Sequence, residues 1–342
     1  MAPRQELRDR VNRELVDAVE RQPEAWAARF AGAQPFPHLV IDDFLAPDFC
    51  GDICAQFPPF EDAAALNEDG VVGQKATQEK VRQLGPAYLE LDDLVQSAEF
   101  LGLVEKLTGI EDLHYDPWYF GGGTHDNRHG QDLDPHIDFN YHPITRQHRR
   151  LNLIVYLNED WEDAWGGSLQ LHRDPRLPRA ADEVVTVPPA LNRCVIFETS
   201  ERSWHGFERI DLPAEKRHLS RRSFALYFYT KSRPAEQVAL AHSTVYIERH
   251  LPERFAPGYT LGDDDVRELR RLLSRRDQHL ARLYREVQSL SAVRGDSLTL
   301  QIATRLASKA YAFERATSIP VTPPLRALWR LLRRDRRDAG TQ

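Results

Sequence analysis

A mainly β domain, a sandwich or barrel with helices packed on its outer face, is the fold class this sequence predicts. Two observations carry it. Between about Leu113 and Lys231, short β-like runs alternate with turn clusters of Gly, Pro and Asp: HYDPWYF, HIDF, LNLIVYL, GSLQLH, EVVTV, RCVIFE and RRSFALYFYT. Segments of helical spacing precede these runs and would cover a sheet face. A further helical extension follows from near Pro252.

Taken in order, residues Gln5 to Phe30 read as one amphipathic helix, with Leu7, Val11, Leu15, Val16 and Val19 on one side. This gives an N-terminal helical segment, 1–35, ahead of a domain over 36–250. PFPHLVIDDFL reads as a strand ending in a turn. In APDFCGDICAQF, Phe49, Ile53 and Phe57 stand four apart, the spacing of a helix. Glu61 to Gln83 is polar and reads as a loop. Leu89 to Leu107 is a second helical region, with Gly109 as its stop.

The third segment, 251–342, opens on PERFAPGYTLGDDDV, a linker followed by acidic residues suited to a helix start. Val266, Leu269, Leu273, Arg276, Leu280, Leu283, Val287 and Leu290 then recur in steps of three and four, a heptad seam with one arginine in it. Such a helix packs either on its own domain or on a partner, including a second copy in a homodimer through 266–290. In PPLRALWRLLRRDRR, Leu325, Leu328, Trp329 and Leu332 share a face among arginines. That basic tail is either a solvated end or a peripheral contact with an anionic membrane or acidic partner.

Composition sets the limits. The 342 residues allow one large domain or two moderate ones with an ample core. A net charge of -7 gives no general argument for nucleic-acid binding. The three cysteines form no even framework, and Cys50 and Cys54, one helical turn apart, suit a buried thiol pair better than half a zinc site. The start, MAPRQELRDRVNREL, lacks an apolar signal core, and no apolar run approaches the roughly 18 residues of a spanning helix. The expectation is a soluble, cytoplasmic protein, with the basic tail as its one route to a membrane.

The chemistry-bearing residues start at DPHIDF. In a strand, His136 and Asp138 would point to one side while Ile137 packs on the other. His205 follows the strand-like CVIFE. Two histidines and one carboxylate are the facial set of non-haem iron, which leaves three coordination positions open. In RRSFALYFYT, Arg221 and Ser223 stand two apart in a strand, where an inward guanidinium and a hydroxyl suit a carboxylate. Arg222 competes with Arg221, since a one-residue slip exchanges them; Ser223 favours Arg221.

The order His-x-Asp, His, Arg-x-Ser resembles the Fe(II)/2-oxoglutarate-dependent dioxygenases, in particular the prolyl 4-hydroxylase-like branch. LNLIVYLNEDW, WGGSLQLH and RRSFALYFY look like that branch's strands, and the likeness runs from Phe36 to Lys231, about 200 residues, in line with a single domain. The resemblance implies a mainly β fold with flanking helices: a double-stranded β-helix (jelly roll) core at about 113–231 plus the C-terminal helical extension. It implies an oxidoreductase that uses Fe(II), 2-oxoglutarate and O2, with ascorbate as a further reductant, and forms succinate and CO2 while hydroxylating an unactivated C–H bond. His136, Asp138 and His205 fall on its metal positions. Arg221, Ser223 and Tyr156 fall on those that hold the far carboxylate of 2-oxoglutarate, and Tyr119 matches a cavity-lining tyrosine. THDNRHGQDLD reads as a longer insertion before His136.

Trp118, Phe139, Asn140 and Arg146 flank the His-x-Asp pair and are candidates for substrate contact. An arginine at the mouth suits an acidic or phosphorylated group. The branch implies a peptidyl proline as substrate. The alternatives are a small-molecule or glycan/lipid biosynthetic intermediate, or a non-catalytic jelly-roll scaffold.

Overall fold

A computed structural model describes residues 3–61, 75–247 and 251–293. Residues 62–74 of the polar stretch and the basic tail at 323–337 lie outside them. The chain divides into one unit of residues 1–142 with 146–253, and a second of 143–145 with 254–342.

The N-terminal helix expected as one element is three: α1 (Pro3–Arg10), α2 (Arg13–Arg21) and α3 (Pro23–Gly32). Local chemistry breaks the apolar period. Val11 leaves the helix to bridge Leu45, and the Asn12 side chain accepts from the Glu14 and Leu15 amides to start α2. Pro23 has no N–H to continue α2, so it begins α3 instead. The buried faces remain as expected: Leu7, Val11, Leu15, Val16 and Val19 all join the main core, so 1–35 is part of the first unit. After strand β1 (His38–Ile41) comes α4 (Pro47–Ala55), which carries the free Cys50 and Cys54.

The second helical region is also two helices, α5 (Pro86–Val95) and α6 (Ala98–Thr108). Ser97 divides them by accepting the Phe100 amide on its hydroxyl, and Gly109, in the left-handed region at φ 70°, ends α6. The polar stretch before α5 holds strand β2 (Ala76–Gln78) and a 3₁₀ turn at Val81–Gln83, where a loop was expected.

The strands β3 (His114–Tyr115), β4 (Gly123–Asn127), β5 (Leu133–Ile137), β6 (His148–Tyr156), β7 (Leu169–His172), β8 (Val184–Val187), β9 (Cys194–Glu198), β10 (Trp204–Phe207), β11 (Arg221–Thr230) and β12 (Val245–Tyr246) form two antiparallel sheets. The larger runs β1-β9-β6-β11-β4-β2, with β3 also on β11; the smaller runs β12-β5-β10-β7-β8. From β4 to β11 the chain passes between the sheets at almost every step. The result is the double-stranded β-helix.

Alternation decides which face does what. Leu151, Leu153, Val155, Phe224, Leu226 and Phe228 face the helices and share their core. Tyr156, Val195 and Phe197 face inward, against Leu169, Leu171 and Val187 of the smaller sheet. The inner faces of β6 and β11 are therefore set against those of β5 and β10. In the second unit, α7 (Asp263–Val293) starts at Asp263, Asp264 and Asp265, and its seam residues Leu273, Leu280, Leu283 and Val287 are exposed. Among the described residues no helix is long and apolar enough to cross a membrane.

Candidate metal centre

Strands β5 and β10 run antiparallel with His136 directly opposite His205, so both rings leave the same face, their centroids 4.2 Å apart. Each Nδ1 lies 2.9 Å from a backbone carbonyl two residues back, Asp134 O for His136 and Ser203 O for His205. A carbonyl only accepts, so each Nδ1 carries the proton and each Nε2 presents a lone pair. Asp138, just beyond the end of β5, completes the group. Its Oδ1 is 3.8 Å from His136 Nε2 and its Oδ2 is 3.5 Å from His205 Nε2. Among the described residues this is the one cluster of three such side chains close enough to share a metal ion.

The electrostatics match a metal site. Burial, with the neighbouring His205, pushes the His136 imidazolium down to about 3, and burial also lowers His205. Burial works against the Asp138 carboxylate, but Arg149 and the two histidines outweigh it and hold its pKa well below the usual range. Two neutral nitrogens and one anionic oxygen are thus ready without a proton to expel. The set fits Fe(II), which such ligands bind on one face only.

Asp138 is held from behind. Asn152 Nδ2 donates to Oδ2 at 2.8 Å, and the Arg149 guanidinium reaches the same oxygen at 3.1 Å. Arg149 also donates to Asn152 Oδ1 through Nε and Nη2 (3.0 and 2.7 Å) and lies over the rings of Tyr227 and Phe139. With Oδ2 engaged this way, Oδ1 is left to a metal. Sequence reasoning missed Arg149. Its register with Tyr229 follows an irregularity between Phe228 and Tyr229, which breaks the period-2 rule that finds inward residues.

On the facing sheet, at the start of β11, Arg221 is buried, 5 % exposed. Its Nε donates to Gly167 O (2.6 Å) and its Nη2 to the Tyr156 hydroxyl (3.0 Å), with the guanidinium 4.3 Å from the Phe207 ring centroid. Ser223 stands opposite Tyr156 on the adjacent strand. Gly166 and Gly167, both at positive φ, make the tight turn that aims Gly167 O at Arg221; a Cβ on Gly166 would sit 2.1 Å from Arg209 O. Among the described residues no carboxylate pairs with Arg221, so a buried cation faces the cavity without a counter-charge. Arg222 faces the other way, beside Ser220 and over Phe57 on the helix side.

The His136-x-Asp138 pair, His205 and the buried, anion-free Arg221 all fall within residues 123–229, and this span matches the 2OG-Fe(II) oxygenase superfamily model. This segment is a 2OG-Fe(II) oxygenase domain. The chain is accordingly an oxygenase enzyme. Among solved structures it is similar to the prolyl hydroxylase from Trichoplax adhaerens in complex with a hypoxia inducible factor peptide fragment (16% identity, 63% of this chain and 92% of that chain, TM-score 0.44). Others are a prolyl 4-hydroxylase from Phytophthora capsici (19% identity, 94% and 93%, TM-score 0.42) and the non-heme alpha ketoglutarate dependent epimerase SnoN from nogalamycin biosynthesis (16% identity, 73% and 97%, TM-score 0.41). No curated protein matches the chain.

The oxygenase domain places the remaining candidates differently. Tyr119 sits in a turn at φ 50°, and its hydroxyl donates to Asp92 in the helix-side core (2.9 Å). It packs there on Tyr115 and Phe224 and does not line the inner wall. The supposed insertion THDNRHGQDLD is instead most of β4, the connection across to the other sheet and the start of β5. Trp118 stacks near His142, and Phe139 lies between Phe120 and Arg149. Asn140 spends its amide on the segment before β12: Nδ2 donates to Leu240 O and Oδ1 accepts from the His242 amide. The exposed Arg146 lies over the ring of Tyr141. Arg149, not Arg146, is the arginine at Asp138.

The buried imidazoles make a stability prediction. His125, His136 and His205 all titrate below the ordinary 6.5, through burial first. As pH falls below 6.5 the unfolded chain takes up protons that the folded chain refuses. The metal-free protein should therefore be most stable above that value. It should lose about 1.4 kcal/mol per pH unit for each imidazole that stays neutral. Urea unfolding with a chelator at about pH 7 and about pH 5 checks this; coincident midpoints would contradict it.

Proposed function

We propose that this oxygenase hydroxylates an unactivated C–H bond with formation of succinate and CO2, on the prolyl 4-hydroxylase-like pattern, with a peptidyl proline as its first substrate class. The observation that carries the reading is Arg221, buried and without an anion, on the inner face of the sheet opposite the histidines of the metal-ligand set. His136, Asp138 and His205 would hold Fe(II). Arg221, the Tyr156 hydroxyl and Ser223 would hold the far carboxylate of 2-oxoglutarate. Held there, iron and 2-oxoglutarate would reduce O2 to give the species that attacks the C–H bond. The chain's own work is to fix donors, orient the co-substrate and keep water out. Phe207, stacked on Arg221, and the Leu169, Leu171 and Phe197 wall serve that last role. A small acidic molecule is the second reading, favoured by the cation Lys75 beside the cavity.

The test is anaerobic. Fe(II) and 2-oxoglutarate together should give a visible absorption band on the full chain. Air should then release succinate, faster with proline-containing peptides than without. A chain that binds no iron sinks the whole reading, whereas succinate release that no proline peptide accelerates sinks the substrate class alone.

A further inference from the structure

The inner wall holds more positive charge than the metal and co-substrate use. Lys75 immediately precedes β2, and alternation sets it on the same face as Thr77. Thr77 stands opposite His125, His125 opposite Ser223, and Ser223 opposite Tyr156, so these side chains share the inner face. Lys75 Nζ lies 3.2 Å from His125 Nε2. That ring nitrogen is also 3.0 Å from Gly121 O, which accepts from the Tyr227 hydroxyl at 2.9 Å as well. A carbonyl has two lone pairs and only accepts, so His125 Nε2 carries the proton and turns no lone pair toward Lys75. An ammonium has three donors. Among the described residues no other group lies within hydrogen-bond distance of Lys75 Nζ, and no carboxylate stands at ion-pair distance from it.

Lys75 is close enough to feel Asp138, Arg149 and Arg221; burial lowers its pKa to about 8, Asp138 raises it, and the two arginines press it down. Charges can be paired off around it. A divalent metal and dianionic 2-oxoglutarate offset each other, and Asp138 offsets Arg149. Arg221 and Lys75 remain. Against them stands only Glu79 among the groups that act on Lys75, and its carboxylate already accepts the Gly121 amide at 2.7 Å from an exposed position. A partly buried ammonium with unspent donors and an excess of cations around it is a receptor for an oxyanion.

We propose that the substrate of this enzyme carries a carboxylate or phosphate group, and that Lys75 receives it near the metal centre. The proposal rests on the oxygenase reading above. It moves recognition of an acidic substrate from the exposed Arg146 to the inner wall.

The full chain, loaded anaerobically with Fe(II) and 2-oxoglutarate, is titrated calorimetrically with acetate, methyl phosphate and neutral acetamide while the visible band is followed. At least one anion should bind with the band retained, and acetamide should not. Acetate against methyl phosphate tells a carboxylate site from a phosphate site. In Lys75→Met and Lys75→Gln the band should persist while anion affinity falls about tenfold to a hundredfold. Binding of neither anion, equal binding of acetamide, or undiminished anion binding in a folded variant overturns the proposal. Absence of the band in wild type overturns the oxygenase reading instead, and the anion titration is then read on the metal-free chain.

Discussion

Arg221→Met is expected to weaken 2-oxoglutarate binding by about a hundredfold to a thousandfold while metal binding persists. The size follows from burial. Arg221 is desolvated, its pKa is lowered for that reason, and no carboxylate repays the cost. Its partners, Gly167 O and the Tyr156 hydroxyl, orient the fork but do not neutralise it. An incoming carboxylate completes a pair whose desolvation has already been met during folding, so most of the Coulomb energy appears as affinity. The same argument predicts the stability of the free protein. Methionine fills the slot against Phe207 without a stranded charge, so Arg221→Met should unfold no earlier than wild type. Band titration at saturating metal and thermal unfolding read the two effects separately. Arg222→Met, on the helix-facing side over Phe57, should change 2-oxoglutarate affinity by less than about threefold. Equal losses in the two variants would remove Arg221 from the role.

What could be read from the sequence divides along a physical line. Strand alternation is a property of the backbone, so it separates Asn152, Ile154 and Tyr156 from Leu153, Val155 and Leu157, and Arg221 from Arg222. Antiparallel pairing then brings His136 opposite His205 from 69 residues away, a distance no local pattern reports. Alternation fails where the backbone departs from it. Arg149 reaches Asp138 beside an irregular register, and Tyr119 sits in a left-handed turn that sends its ring to the helices. Strand β4 failed for another reason. GTHDN is polar yet buried along its whole length, and hydrophobic patterning detects only apolar faces. His125 and Lys75 were out of reach for the same cause. The helix breaks are written locally, in Asn12, Pro23 and Ser97, within an apolar stripe that runs on across them.

His205→Ala and Asp138→Ala should each reduce Fe(II) affinity by more than about a thousandfold, yet differ sharply in what they do to the metal-free protein. His205 is neutral, its Nδ1 proton is satisfied by Ser203 O, and its Nε2 points at the site. Removing the ring leaves a space beside Phe197 but strands no charge, so the cost in stability is that of a small cavity. Asp138 is different. It is the counter-charge of Arg149, a guanidinium 1 % exposed and enclosed by Tyr227 and Phe139. Its removal leaves that cation buried and unpaired, at a cost of about 3–5 kcal/mol. The double variant Asp138→Ala with Arg149→Met should recover much of this stability without recovering the metal. Urea unfolding in chelator measures the first quantity, and anaerobic iron titration the second. Asp138→Ala that is as stable as His205→Ala would mean that Arg149 is not held by Asp138. Iron binding that survives either single substitution would mean that the metal lies elsewhere.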